Sequence, residues 1–107
     1  MVRKHKGDKM IIHQREISYT KNYSEFFETL VKIKEYMGEK YPEISVDLMY
    51  NLAGQRGRAT IQTRYASLAD YERIDAEVDN DEEYSKLFEP IITATGDLPV
   101  DQFYRII

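Results

Sequence analysis

The chain has 107 residues, 42% hydrophobic and 32% charged, with a net charge of −4 and no cysteine. That length fits one domain around one core. The acidic balance argues against general affinity for nucleic acid or anionic lipid, and the missing thiols exclude disulfides and thiolate chemistry. No apolar run approaches a membrane span or signal peptide, so a cytoplasmic protein is expected. Nine tyrosines and four phenylalanines with no tryptophan suit half-wet cavities and interfaces, because tyrosine joins a flat apolar body to a polar tip.

Residues 1–9 carry Arg3, Lys4, His5, Lys6 and Lys9 without periodicity and read as a flexible basic arm. Residues 10–107 read as a single domain. Met10 to Tyr19 is the first predicted strand, with Ile11, His13, Arg15, Ile17 and Tyr19 on one face. Asn22 and Glu25 fit a capping box for a helix whose apolar stripe is Phe26, Leu30, Ile33 and Met37. Gly38 weakens that helix near its end, and Tyr41-Pro42 stops it.

Ile44 to Ala53 alternates as a second strand, with Ile44, Val46, Leu48, Tyr50 and Leu52 on one side. The glycines of Gly54-Gln55-Arg56-Gly57 predict a hairpin into a third strand. There Ala59, Ile61, Thr63 and Tyr65 oppose Thr60, Gln62 and Arg64. Ser67 caps a second helix with Leu68, Tyr71, Ile74 or Asp75, and Val78 inward. Asp79-Asn80-Asp81 interrupts the stripe and caps a further helical stretch bearing Tyr84, Leu87, Phe88 and Ile91, which Pro90 should kink or shorten. After the Gly96 to Pro99 loop, Val100 to Ile107 is the last strand. Its Val100, Gln102, Tyr104 and Ile106 oppose Asp101, Phe103, Arg105 and Ile107, and the second set is assigned to the face away from the helices.

The order β-α-β-β-α-β is that of a ferredoxin-like α+β fold, a four-stranded antiparallel sheet with helices on one face. The uncovered face, with Met49, Phe103 and Ile107 assigned to it, mixes apolar and polar groups. A second copy meeting it across a two-fold axis is the expected cover, giving a homodimer.

The run Tyr65-Ala66-Ser67-Leu68-Ala69-Asp70-Tyr71-Glu72 resembles the strand-to-helix junction of dimeric α/β-barrel proteins, most closely NIPSNAP-type domains. Asp81-Glu82-Glu83-Tyr84 is similar to the acidic break before an aromatic in that family, and the strand holding Arg15 resembles its arginine-bearing first strand. The resemblance spans residues 10–107. It implies a homodimer whose two sheets close into a barrel, with a cavity between sheet and helices in members that act on small molecules. Related barrels include cofactor-free monooxygenases, haem-degrading enzymes, polyketide cyclases and lactone isomerases.

His13 is the candidate catalytic residue, because a half-buried imidazole moves protons near neutrality. Arg15 and Arg64 are candidates for binding a carboxylate or enolate, and the same residue type equally suits a salt bridge to Glu16, Asp47 or Asp101. Tyr19, Tyr50, Tyr65 and Tyr104 are candidate hydroxyl donors to an oxyanion. No cofactor and no metal are expected: the chain has two histidines and no ligand spacing. RNA-recognition domains share the strand order, but the three stacking positions on the third strand hold Arg58, Thr60 and Thr63, so nucleic acid is not an expected partner.

Two readings follow. One is a barrel that binds a small, partly apolar molecule, acting if catalytic as a cofactor-independent monooxygenase, cyclase or isomerase. The other is a purely structural dimerisation module. A cavity reaching His13 favours the first, and a filled interior favours the second.

Overall fold

The computed structural model describes residues 10–54 and 56–107, so the basic arm at 1–9 lies outside the described residues. Four strands, β1 (Ile11–Ser18), β2 (Ser45–Tyr50), β3 (Arg58–Tyr65) and β4 (Val100–Arg105), form one antiparallel sheet in the order β2-β3-β1-β4. Three helices, α1 (Tyr23–Lys40), α2 (Leu68–Asp79) and α3 (Glu82–Ala94), are the other elements among the described residues. The ferredoxin-like architecture is as expected, with the second helical region split in two. Among the described residues no helix is long and apolar enough to cross a membrane.

The core lies between the sheet and the helices. Ile11, Ile17, Val46, Ala59, Ile61 and Tyr65 meet Phe26, Leu30, Ile33 and Met37 of α1, Ile74 of α2 and Ile91 of α3, and all are buried. Strand alternation sets this face: β3 reads buried at Ala59, Ile61, Thr63 and Tyr65 and open at Arg64 between them.

Local signals explain most element ends. The Ser67 hydroxyl accepts from the Asp70 amide at the start of α2, and Asp81 does the same for the Tyr84 amide at the start of α3. Asp81 also accepts from Lys40 Nζ at 2.8 Å and from the Tyr36 hydroxyl at 2.5 Å, tying the α2–α3 joint to the end of α1. Gly54 and Gly57, both at φ 77°, turn the β2–β3 hairpin, in a backbone region that suits glycine.

Two expectations about the helices are corrected. Asn22 does not form a capping box. It adopts φ 54°, ψ 44°, makes no side-chain cap bond, and only its carbonyl receives the Phe26 amide. The left-handed turn takes the side chain off the path to the first helical amides. Pro90 does not shorten α3, which runs on to Ala94. Burial of Ile91 and Ala94 beyond the proline outweighs one lost backbone bond.

The last strand is corrected as well. Its register pairs His13 with Phe103 and Arg15 with Asp101. Directly paired residues share a face, so Asp101 and Phe103 lie on the helix side of the sheet. Val100, Gln102 and Tyr104 take the open face beside Ile12, Gln14 and Glu16.

Candidate functional site

The inner face of β1 carries His13 and Arg15 between the buried ends Ile11 and Ile17. Polar residues at the middle of an otherwise apolar strand face need partners, and β4 supplies one. Asp101 accepts from Arg15 through Nε at 2.7 Å and Nη2 at 3.1 Å, and from His13 Nε2 at 2.8 Å. The Phe103 ring stacks on the imidazole at 4.6 Å between centroids, 10° from parallel, and Tyr71 meets His13 edge-on at 6.0 Å. The His13 side chain is 13% exposed, against 35% for Asp101.

The electrostatics fix protonation. The Arg15 guanidinium holds the Asp101 carboxyl below the usual carboxylate range against the opposing effect of burial, and His13 helps. The same pairing raises Arg15. An ionised carboxylate only accepts, so His13 Nε2 must carry a proton. In the neutral imidazole the lone pair then sits on Nδ1, for which no hydrogen-bond partner exists among the described residues.

His13 and Arg15 border a cavity of about 280 Å³ between the sheet and all three helices. His13, Arg15, Val46, Ile61, Thr63 and Tyr65 come from the sheet; Ile33 and Met37 from α1; Ile74, Asp75, Val78 and Asp79 from α2; Tyr84, Ser85, Phe88 and Ile92 from α3. Burial pushes the Tyr65 hydroxyl up to about 12. Burial also raises Tyr84, with Arg15 pulling the other way. Both phenols therefore stay protonated at neutral pH and can donate hydrogen bonds. The wall is mostly apolar with a few convergent polar groups, the usual make-up of a small-molecule site. Among the described residues no group of three or more His, Asp or Glu side chains could hold a metal ion.

Of the seven residues singled out from sequence, the fold brings His13, Arg15 and Tyr65 to the cavity. Arg64 and Tyr104 do not join them: both pair with Ile12 and share its open face. Tyr19 follows the other end of β1, packed on Tyr23, Phe26 and Phe27 with centroids 4.7 to 5.5 Å away. Tyr50 is exposed beside Phe27. For Arg15 the salt-bridge alternative with Asp101 is the one realised. Asp101 appeared only as that alternative, while Asp75, Tyr84 and Phe103 were not assigned to a site. Tyr84 was legible in part, since it opens the stripe after the Asp81 cap.

No family model matches the sequence, and no curated protein aligns with it. Solved structures resemble it in fold. A NIPSNAP family protein from Agrobacterium tumefaciens superposes with a TM-score of 0.74 at 12% identity, over 97% of this chain and 91% of that one. The fold is that of a NIPSNAP-type domain. A protein assigned as an antibiotic biosynthesis monooxygenase from Caulobacter crescentus gives 0.78 at 12% identity, over 94% of this chain and 92% of that one. SnoaB, a cofactor-independent oxygenase from Streptomyces nogalater, gives 0.69 at 6% identity, over 90% and 91%. The NIPSNAP-like frame is thus shared with proteins named for oxygenase chemistry.

Proposed function

We propose that this NIPSNAP-like chain binds a small, partly apolar molecule in the cavity at His13 and works as a homodimer closed through its open sheet face. The observation that carries the binding reading is the space itself. A dimerisation module has no use for a hollow of about 280 Å³ with a histidine, an arginine and a buried tyrosine in its wall, whereas a concave, mostly apolar wall with a few polar groups is what a small-molecule site needs. The size lies just below the ~300–1,000 Å³ typical of drug-sized ligands, so the occupant is small.

The dimer reading is supported by the open face. Met49, Val100 and Tyr104 are each more than 40% exposed there, beside half-buried Ile12. Every residue of β4 is exposed in the single chain. Phe103 is not part of this face, since it packs on His13.

A thermal-shift screen of small aromatic and aliphatic compounds tests the binding reading, with Ser85→Trp as control. Ser85 is exposed at the cavity wall, so an indole there blocks entry with little cost to folding. Compounds that stabilise the protein and lose their effect in S85W support the proposal. Stabilisation indifferent to S85W places binding elsewhere and refutes it.

A second reading, a cofactor-independent enzyme, draws on one feature. Asp101 commits Nε2 as a donor, which leaves Nδ1 as the lone pair able to take a proton from a bound substrate. Tyr65 and Tyr84 would donate to the negative charge that develops. For any substrate found, His13→Ala should abolish turnover while the compound still binds; unchanged turnover would remove this mechanism.

A further inference from the structure

The cavity has a charge imbalance that bears on its occupant. Arg15 is the one permanent cation among its described lining residues, and its guanidinium is held by Asp101 through two hydrogen bonds. Asp75 and Asp79 line the same cavity from α2, and neither forms a hydrogen bond or ion pair among the described residues. Asp101 first, and the Asp75 charge after it, act on that one cation, so a single positive charge faces three carboxylates and two negative charges are in excess around the cavity.

The placement of those two carboxylates is itself unfavourable. They are one helical turn apart on one face of α2, where like charges repel. Asp79 is the last residue of the helix, and no basic residue stands in that last turn. A negative charge at a helix C-terminus meets the negative end of the macrodipole. Lys86 does not relieve this. It shares a surface hollow with Asp79, Asp81 and Glu82 but forms no ion pair with Asp79. The Asp75 charge also reaches inward: burial raises the phenols of Tyr65, Tyr71 and Tyr84, and Asp75 adds to the rise in each. Ile33, Val78, Phe88 and Ile92 offer an apolar bed beside it. A ligand that lays a hydrocarbon body on that bed and brings a positive charge to α2 satisfies all these groups at once. An anion finds no free cation to meet it.

We infer that the cavity selects a small apolar amine, its ammonium group seated between Asp75 and Asp79, over carboxylates of the same size. This rests on the binding reading above and names the class of molecule bound. The role differs from the sequence-based expectation of Arg15 and Arg64 holding a carboxylate or enolate.

The test is an NMR titration of the full chain with three probes of near-equal size: 2-phenylethylamine, 2-phenylethanol and phenylacetate. The amine should bind about three- to tenfold more tightly than the alcohol, the modest gain expected of solvent-accessible ion pairs. Phenylacetate should bind most weakly, and the amine's advantage should shrink as salt is raised. In the Asp75→Asn/Asp79→Asn double variant the amine should fall to the level of the alcohol. Both side chains are exposed, so the variant should keep the wild-type fold, which its amide spectrum checks. Phenylacetate binding as well as the amine, or an advantage that survives the double substitution, overturns the inference and leaves the cavity as a binding site. If none of the three shifts a cavity resonance, the binding reading itself fails and the inference goes with it.

Discussion

The contact that holds the site together is the pairing of Arg15 with Asp101, and a double-mutant cycle measures it. Arg15→Met keeps most of the aliphatic stem and removes the charge; Asp101→Asn keeps the shape and removes the carboxylate. The two hydrogen bonds, 2.7 and 3.1 Å long, form a two-pronged pair, at the strong end for such contacts. Yet the side chains are 37% and 35% exposed, so solvent screening limits the coupling to about 1 kcal/mol, the top of the exposed-pair range. Asp101→Asn alone should cost more, about 1–2 kcal/mol, because His13 loses its charged acceptor too. For a domain of this size that is a fall in Tm of roughly 4–8 °C per kcal/mol.

Urea unfolding of the wild type, both single variants and the double variant yields the coupling directly. Lowering the pH titrates the same carboxylate. The Asp101 carboxyl is depressed in the folded protein, so its contribution is complete above the unfolded pKa of ~3.9 and is lost as pH falls through the lower folded value. Below about pH 4 the wild type should therefore lose its advantage over Asp101→Asn. A coupling near zero, or a gap between the two proteins that stays constant down to pH 2, would refute the geometry assigned to His13, Arg15 and Asp101.

Other outcomes follow from the same structure. Ile74 is fully buried on α2 at the cavity, and Ile74→Ala should cost about 2–5 kcal/mol in urea unfolding. Ser67→Ala removes the acceptor of the Asp70 amide and should cost about 1 kcal/mol by the same measurement. Ile12 sits on the open face between Arg64 and Tyr104. Light scattering at micromolar concentration should return twice the 12.7 kDa chain mass for the wild type and the single mass for Ile12→Glu. A wild type at the single mass contradicts the dimer.

The inner core and half of the site were legible because burial enforces alternation. In β3, Ile61, Thr63 and Tyr65 turn inward as their spacing requires, and the same spacing sends Arg64 outward. His13 and Arg15 share a face for the same reason. The β4 parity was not legible: Val100, Tyr104 and Ile106 are as apolar as Phe103 and Ile107, and neither set is buried. Its register is set by pairing with β1, ninety or so residues away in sequence, and a one-residue change in that pairing exchanges the two faces. That long-range choice turned Asp101 and Phe103 toward His13. The Asn22 turn was hidden for a related reason, since residue type alone does not say when an asparagine adopts the left-handed conformation instead of a capping one.

The account depends above all on the cavity beside His13 being a place where a small molecule sits. A fragment screen followed by NMR on isoleucine-methyl-labelled protein addresses this directly. Ile33, Ile61, Ile74 and Ile92 line the cavity, while Ile12 lies on the open face. Binding should move those four methyls and the His13 ring resonances together and leave Ile12 still. Shifts confined to Ile12, or no shifts across a library of small aromatic and aliphatic compounds, would contradict it.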